Sequence, residues 1–187
     1  MFIVFDGLDG SGKSTQAKLL CMHLESLGKS YILRAHPSDD NFFGRKSRGC
    51  LLMEGNRARV SASLFYLLDV VRSVTLYVWR PVDYVVFVRY LMGTAYLPES
   101  LYKLGYLFFL RVVPRSHYMF FINTTPIEAY RRIKQNRSQK EMFESLERLK
   151  RVNKKITHLA SRDEWIILDG DMSSDDIHSV VKAYLGL

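Results

Sequence analysis

The feature that most constrains the fold of this chain is its first 20 residues, MFIVFDGLDGSGKSTQAKLL. Residues 2–5 are an apolar run with β-branched members, short enough for one buried strand of a parallel sheet. Residues 7–14, GLDGSGKS, then fit the phosphate-binding loop pattern G-x-x-x-x-G-K-[ST]. The apolar residues that follow, up to Leu24, have the spacing of an amphipathic helix. Strand, glycine loop and helix therefore stand in the order that this motif requires.

The residue types in this loop suit a polyphosphate. Gly7, Gly10 and Gly12 lack Cβ atoms, so several backbone N–H groups can converge on one anion. The helix that starts near Lys13 adds its unpaired N–H groups and the positive end of its dipole. Lys13 can reach the β- and γ-phosphates, and the Ser14 hydroxyl can bind Mg²⁺. We therefore expect this loop to bind a nucleotide.

Composition limits the classes of protein to which the chain can belong. It has 187 residues, 48% of them apolar, which is enough for one sizeable core, so we predict a single domain over residues 1–187. No uninterrupted apolar run approaches the ~18 residues of a membrane span, and no signal peptide is visible. Cys21 and Cys50 are too few for a disulfide framework or a metal cluster. We expect a cytoplasmic protein without a membrane partner.

The net charge of +8 suits a polyanion, either a nucleotide or a nucleic acid. Lys and Arg dominate residues 111–162, but neither an RNP pattern with interleaved aromatic residues nor a zinc-binding spacing accompanies them. Because the chain already has a triphosphate loop, arginines that bind phosphate explain this basic band more simply. We expect nucleotides as partners and no nucleic acid.

Apolar strand patterns alternate with helical patterns along the whole chain. The predicted strands are residues 2–5, 30–35, 83–88, 118–122 and 165–168. The predicted helices after the first are residues 45–53, 57–77, 101–112, 127–135, 141–159 and 175–185. This alternation predicts an α/β fold, a P-loop NTPase three-layer α/β/α sandwich with a five-stranded parallel sheet. Ligands should bind at the carboxyl ends of its strands.

The chain resembles the thymidylate kinase family of P-loop nucleoside monophosphate kinases over nearly its whole length. Residues 5–15, FDGLDGSGKST, are close to that family's F-E-G-x-D-G-x-G-K-[ST]-T, and residues 89–96, RYLMGTAY, resemble D-R-Y-x-x-S-S-x-A-Y. Residues 136–160 resemble the family's lid and the helix after it. The resemblance implies transfer of the γ-phosphoryl group of ATP, with Mg²⁺, to a nucleoside monophosphate such as dTMP. It also implies a possible homodimer, for which the apolar helix at residues 64–77 is a candidate.

The family's site residues carry over position by position. The resemblance places the phosphate loop and one lid arginine around ATP: Gly7, Leu8, Asp9, Gly10, Ser11, Gly12, Lys13, Ser14, Thr15 and Arg131. It places six residues around the acceptor: Asp9, Arg45, Phe65, Arg72, Arg89 and Tyr96.

The resemblance also gives roles to several of these residues. Asp9 would face the acceptor's sugar, and Phe65 would stack on its base. Arg45 or Arg48 would hold the acceptor's phosphate, and Arg72 would contact base or phosphate. The transfer itself is assigned to Lys13, Arg89 and Arg137, and Mg²⁺ to Ser14 and Asp6. The lid is expected at about residues 131–141, where Arg132 is a further candidate.

Three positions depart from the family pattern. Val88 stands where the family has the aspartate that helps to hold Mg²⁺ through water. Leu97 replaces a glutamine that helps to read the base, and Ile156 replaces a tyrosine in the helix after the lid. The phosphate chemistry is therefore better supported by the sequence than the identity of the base.

Two alternative functions remain open at the level of sequence. Val88 permits a nucleotide-binding module of the same fold that has lost turnover. Asp6 stands where deoxynucleoside kinases have their catalytic carboxylate, and a sugar hydroxyl needs such a base because it must lose a proton. A monophosphate acceptor, whose second pKa lies near ~6, is already largely ionised at neutral pH and needs none. Its transfer depends on positioning and charge neutralisation, so Val88 is compatible with activity.

Overall fold

A parallel sheet of five strands forms the centre of the structure, a computed structural model that describes residues 1–53, 55–136, 145–162 and 164–187. The strands are β1 (Phe2–Gly7), β2 (Tyr31–Ala35), β3 (Tyr84–Val88), β4 (Tyr118–Asn123) and β5 (Ile166–Asp169). Their order across the sheet is β2-β3-β1-β4-β5, and every neighbouring pair is parallel. The predicted five-stranded parallel sheet is confirmed.

The described residues form seven α-helices. They are α1 (Lys13–Ser26), α2 (Phe42–Leu51), α3 (Asn56–Ser73), α4 (Tyr102–Val112), α5 (Pro126–Asn136), α6 (Leu146–Ala160) and α7 (Ser174–Leu185). A π-helical turn, Val74–Val78, continues α3, and a short 3₁₀ helix, Met92–Tyr96, follows β3. The predicted helix at residues 141–159 corresponds to α6, although residues 141–144 lie outside the described residues.

The sheet is covered on both faces, as the continuous apolar strands predict. Along β1, Phe2 and Val4 pack into the core shared with α3, α4 and α6, whereas Ile3 and Phe5 pack into the core shared with α1 and α7. Because successive strand residues point to opposite faces, one apolar run supplies both cores. This arrangement is the predicted three-layer sandwich.

Strand order determines which loops meet at the site. β1 lies between β3 and β4, with Phe5 level with Val88 and Gly7 level with Ile122. The loop after β1 and the segment after β3 therefore leave the same edge of the sheet side by side. This edge holds the carboxyl ends of the strands, where ligands bind in open α/β sheets.

One helical stretch, Arg57–Val78, is long and apolar enough to cross a membrane by length and composition, with a mean hydropathy of 1.3. About a third of it (33%) is buried within the structure. A single stretch of this kind is weak evidence, because the core helix of a soluble protein passes the same test.

Candidate active site

The loop between β1 and α1 has the backbone geometry of an anion cradle. Gly7, Gly10 and Gly12 all have positive φ, at 146°, 82° and 97°. A Cβ atom at Gly7 would lie 2.5 Å from the carbonyl oxygen of Ile122, and one at Gly10 would lie 2.5 Å from that of Ala129. Glycine is therefore required both by conformation and by close approach of neighbouring backbone.

This loop borders a cavity of about 510 Å³, a volume suited to a nucleotide. The lining residues come from the loop, α1, the residue after β3, α5, and α7 with the loop before it. They are Gly10, Ser11, Gly12, Lys13, Ser14, Thr15, Gln16, Arg89, Arg132, Ile133, Met172, Ser173, Ser174 and Ile177. We refer to it as the phosphate-loop cavity. The predicted loop residues from Gly10 to Thr15 thus lie together in one pocket.

The charged residues of the loop neutralise one another. Lys13 is buried, donates to the carbonyl oxygen of Leu8 at 2.6 Å, and lies 3.9 Å from Asp9. Asp9 accepts from the guanidinium of Arg89 and, at 2.8 Å, from the hydroxyl of Tyr96. Burial alone would raise the pKa of Asp9, but the charges of Arg89 and Lys13 and these hydrogen bonds hold it well below its usual range. Asp9 is therefore ionised and fixes both cations.

A second cavity, of about 40 Å³ in the described conformation, adjoins the first. It is lined by residues from the loop after β2, from α2 and α3, and from the segment after β3: Asp9, Pro37, Ser47, Leu51, Ala62, Ser63, Tyr66, Arg89, Gly93 and Tyr96. We refer to it as the acceptor-side cavity. Arg89 lines both cavities, so this residue lies at the boundary between them.

Three predicted acceptor residues lie outside this cavity. Phe65 packs against Phe42, with ring centroids 6.1 Å apart, and Tyr66 lines the cavity instead. Arg45 donates to the carbonyl oxygen of Asp39, and Arg72 lies 3.8 Å from Asp40. For Phe65 and Arg72 the rotation of α3 causes the difference, because adjacent helix positions point about 100° apart. Arg45 lies in α2 and is exposed there.

Arg48, the alternative to Arg45, also contacts the loop after β2. It donates to the carbonyl oxygen of Pro37 at 2.8 Å and pairs with Asp39 at 3.1 Å. It does not line the acceptor-side cavity.

The arginines expected in the lid separate into three cases. Arg132 lines the phosphate-loop cavity and donates to the carbonyl oxygen of Gly170 at 3.0 Å. Arg131 is exposed, forms a two-bond pair with Glu128, and does not line that cavity. Arg137 and the rest of the second half of the predicted lid, residues 137–141, lie outside the described residues.

Asp6 does not have the geometry predicted for a Mg²⁺ ligand. Its carboxylate is buried and accepts from three backbone N–H groups, those of Gly7 at 3.0 Å, Tyr90 at 2.8 Å and Met92 at 2.9 Å. Burial raises its pKa despite these bonds, and it lines neither cavity. Asp6 instead ties the end of β1 to the segment after β3.

The donor set for Mg²⁺ is consequently small. Val88 is buried at the end of β3 and supplies no oxygen ligand. No group of three or more His, Cys, Asp or Glu side chains that could hold a metal occurs in the described part of the chain. Ser14 is exposed to the phosphate-loop cavity and has the hydroxyl that the loop motif uses. The residues therefore fit a Mg²⁺ ion that is bound mainly by phosphate oxygens and water.

Sequence reasoning missed a buried polar cluster beneath the acceptor-side cavity. Asp69 is fully buried and accepts from the backbone N–H of Ser38 at 2.7 Å, from its hydroxyl at 2.6 Å, and from Asn41 at 2.7 Å. In the sequence, the sign of this cluster is a carboxylate between two apolar residues, Leu68 and Val70. The cluster fixes the loop after β2 against α3.

Comparison with known families agrees with this geometry. The family model described as thymidylate kinase matches residues 5–181. A thymidylate kinase of Plasmodium falciparum is 29% identical over 195 residues, which cover 97% of this chain and 88% of that protein. A thymidylate kinase of Thermosipho melanesiensis is 30% identical over 97% of this chain and 96% of its own length.

A solved structure has the same fold. The thymidylate kinase of Candida albicans superposes with a TM-score of 0.78 and covers 99% of this chain and 90% of that one. The sequence identity is 16%, so this likeness concerns the fold.

Proposed function

Because the chain belongs to the thymidylate kinase family, we infer that it is an ATP-dependent nucleoside monophosphate kinase whose acceptor is dTMP. The observation that carries this proposal is the place of Arg89. Arg89 lines both the phosphate-loop cavity and the acceptor-side cavity, and at this boundary its guanidinium can contact an acceptor phosphate and a γ-phosphate together. A nucleotide-binding protein without a second substrate has no need for such a residue.

ATP is assigned to the phosphate-loop cavity. The backbone N–H groups of residues 10–15 and the N-terminus of α1 suit the phosphates, and Arg132 can close on them from α5. Ser14 is the hydroxyl suited to the Mg²⁺ that accompanies ATP, and that ion would neutralise charge on the β- and γ-phosphates. We propose that residues 131–141 act as the lid.

The acceptor is assigned to the second cavity, which at about 40 Å³ must widen when a nucleotide binds. Asp9 and Tyr96, joined by a hydrogen bond, form a polar end suited to the sugar, and Tyr66 offers an aromatic wall for the base. Phe65, Arg45 and Arg72 contribute only if this region moves when the acceptor binds. Pro37, Leu51, Ala62 and Gly93 add apolar wall, which suits an apolar base edge.

The chemistry follows from charge and position. A dTMP phosphate is largely ionised at neutral pH, so it attacks without a general base. In the described conformation Lys13 donates to the carbonyl oxygen of Leu8, and Arg89 donates to Asp9. Both side chains can exchange these partners for phosphate oxygens when substrates bind. Positioning and neutralisation of the developing charge are the main sources of catalysis in this reaction class.

The geometry does not favour the two alternatives. A nucleoside kinase needs a carboxylate base beside the sugar hydroxyl, whereas Asp6 is bonded to three N–H groups and lines neither cavity. A module without turnover does not explain why Lys13 and Arg89 both contact Asp9 at the boundary between two cavities.

We also propose that the protein acts in the cytoplasm as a homodimer. The two cysteines, Cys21 and Cys50, are free, which suits a reducing compartment. The helix α3 exposes Val60, Leu64 and Leu68, a stripe with a spacing of four residues that a second copy can cover.

The deciding experiment measures ADP release from Mg·ATP with dTMP, dUMP, dCMP, dGMP, CMP, UMP and thymidine offered separately. We expect turnover with dTMP. We expect Lys13→Ala to lower kcat by about 10²–10³-fold, because one preorganised charge at the transferring group is lost. Lys18→Ala, an exposed lysine on the same helix, is the matched control and should leave turnover unchanged.

Three other results would contradict the proposal in different ways. Near-normal turnover by Lys13→Ala would contradict a role of Lys13 in the phosphoryl transfer. Turnover with thymidine alone would indicate a nucleoside kinase. Tight ATP binding without transfer to any acceptor would indicate a nucleotide-binding module.

A further inference from the structure

Arg89 has a backbone conformation that is unusual for an arginine. Its φ is +63°, and among the described residues it is the sole non-glycine residue with a positive φ. A side chain with a Cβ atom is strained in this region, so the surrounding structure must hold the backbone there. The contacts of the two peptide groups beside Arg89 identify what does so.

The peptide group before Arg89 is held by backbone alone. The N–H of Arg89 donates to the carbonyl oxygen of Phe5 at 2.9 Å, and the carbonyl oxygen of Val88 accepts from the N–H of His36 at 3.0 Å. These bonds continue the ladders of the neighbouring strands. They do not fix the rotation of the next peptide group.

The peptide group after Arg89 is held by two side chains. The carbonyl oxygen of Arg89 lies 3.0 Å from Nδ1 of His36, and the N–H of Tyr90 donates to Asp6 at 2.8 Å. His36 follows β2 and Asp6 ends β1, so the two anchors come from different strands. Together they set the plane of this peptide and hence the left-handed conformation of Arg89.

The contact with His36 specifies the tautomer of its ring. A carbonyl oxygen only accepts, so Nδ1 must carry the proton. Nε2 is buried and has no hydrogen-bond partner among the described residues. The ring packs edge-on against Phe87, with centroids 5.0 Å apart, and against Tyr66 at 6.4 Å. His36 is therefore a neutral imidazole whose one N–H donates to the carbonyl oxygen of Arg89.

His36 also receives a contact from the Arg89 side chain. Nη1 of Arg89 donates to the carbonyl oxygen of His36 at 3.3 Å, while Nη2 contacts Asp9. His36 therefore contacts Arg89 twice: its ring binds the carbonyl oxygen of Arg89, and its own carbonyl oxygen accepts from the guanidinium.

We propose that His36 is a positioning residue for the phosphoryl transfer: its Nδ1–H fixes the carbonyl group of Arg89 and thereby aims the guanidinium between the two cavities. The proposal rests on the function inferred above for the identity of the reaction. It does not depend on which base the acceptor has. His36 acts through Arg89 and touches neither substrate.

Two substitutions separate the hydrogen bond from ring packing. His36→Phe keeps an aromatic ring against Phe87 but removes the donor. His36→Asn loses the ring, yet its amide nitrogen can take the place of Nδ1. We expect His36→Phe to lower kcat about tenfold, which corresponds to one neutral hydrogen bond, with less than about a threefold change in the KM for ATP. His36→Asn should recover most of the lost kcat.

A double-mutant cycle tests whether the effect passes through Arg89. In an Arg89→Ala background, which retains the fold contacts of His36 but no guanidinium, His36→Phe should change the residual kcat by less than about twofold. An equal loss in both backgrounds overturns the proposal, because it would reflect packing alone. Wild-type kcat in His36→Phe also overturns it.

NMR of the ligand-free protein gives a readout that does not need activity. The ¹⁵N shifts of His36 should show a protonated Nδ1 and an unprotonated Nε2. The backbone shifts of Arg89 should report a positive φ that is lost in His36→Phe and kept in His36→Asn. The opposite tautomer, or an unchanged Arg89 backbone in His36→Phe, overturns the proposal. If wild-type protein transfers phosphate to no acceptor, the proposed function fails while these shifts still decide the role of His36.

Discussion

Asp9 controls the electrostatics of the site at the scale of single residues. One buried carboxylate contacts Arg89, Lys13 and the hydroxyl of Tyr96, so the cations that a polyphosphate needs are already gathered and compensated before it binds. A buried cation without a partner is costly, which explains why the loop carries an aspartate. We expect a triphosphate that enters the cavity to replace Asp9 and Leu8 as the partner of these cations.

The neighbouring arginines of α5 provide a matched pair of variants. Both arginines pair with Glu128, but Arg132 also lines the phosphate-loop cavity, whereas Arg131 is exposed and does not. We expect Arg132→Ala to raise the KM for ATP about tenfold, because a charge-assisted contact to phosphate is worth ~1.5–3 kcal/mol. Arg131→Ala should change it less than about twofold, since an exposed pair contributes little. Steady-state kinetics with varied ATP concentration measure both KM values. A larger increase in the KM of Arg131→Ala would contradict the prediction and indicate that Arg131 contacts the phosphates.

His36 should make stability depend on pH. Burial lowers the pKa of His36 from 6.5 to about 4, although the nearby Asp69 opposes the shift. The unfolded chain therefore takes up a proton between these values while the folded protein does not. The stability that the neutral ring provides is present above about pH 6.5 and is lost as the pH falls toward 4.

The expected size of this loss is about 3 kcal/mol between pH 7 and pH 4, from a shift of about 2.5 pKa units. Denaturant unfolding of wild type and His36→Phe over this range isolates it, because the other titrating groups are common to both proteins. Asp69 and Arg34 are the charged groups that act on the ring, whereas Arg89 contacts it through its carbonyl oxygen, and all three are present in both proteins. Parallel pH curves for the two proteins would contradict the prediction.

At the scale of elements, the 3₁₀ helix Met92–Tyr96 forms one wall of the acceptor-side cavity. A Cβ atom at Gly93 would overlap the ring of Tyr66, whose hydroxyl donates to the carbonyl oxygen of Tyr90 at 2.8 Å. The ring cannot move away without breaking that buried bond. Gly93 is therefore required by close approach and not by backbone conformation.

We expect Gly93→Ala to lower the free energy of unfolding by about 1–3 kcal/mol through overpacking, and to raise the KM for the acceptor. Gly49→Ala is the matched control, since Gly49 lies in α2 and its Cβ would meet nothing within 4 Å. That variant should be stabilised by about 0.5–1 kcal/mol, because alanine favours a helix. Thermal unfolding and acceptor kinetics of both variants test this, and an unimpaired Gly93→Ala protein would show that Tyr66 is free to move.

The comparison of elements also shows what the sequence could predict. All five strands were located, because their apolar runs are fixed by burial on both faces and need no knowledge of partners. The helix α2 begins at Phe42 and not near residue 45, because the side chain of Asn41 caps it through the N–H of Gly44. The phosphate loop was predictable because its glycines are demanded by local backbone geometry.

The acceptor side was less predictable because it depends on tertiary contacts. Tyr66 and Asp69 lie one turn apart on α3, and their bonds to Tyr90 and Ser38 set the rotation of the helix. That rotation turns Phe65 toward Phe42. The spacing of apolar residues predicts which residues share one face of a helix. Which face lines the cavity is decided by buried polar contacts with segments that are distant in the sequence.

At the scale of the whole molecule, an apolar surface remains uncovered on the face of the sheet that carries α3 and α4. Val60, Leu64 and Leu68 of α3 are 42%, 53% and 36% exposed, and Leu104 of α4 is 68% exposed. Exposed apolar residues in a contiguous stripe mark an interaction surface more often than a solvated one. The proposed homodimer would bury this stripe between two copies of α3.

The dimer makes a prediction that does not depend on catalysis. We expect sedimentation velocity to show a dimer for the wild-type protein and a monomer for Leu64→Lys combined with Leu68→Lys, because each copy would bring two charges without partners into the interface. Met22→Lys, at a residue that is 66% exposed on α1 across the sheet, is the control and should remain dimeric. If the wild-type protein is a monomer at tens of micromolar, the homodimer proposal is wrong and a different partner must cover the apolar stripe. A variant that stays dimeric would instead place the interface on a different face.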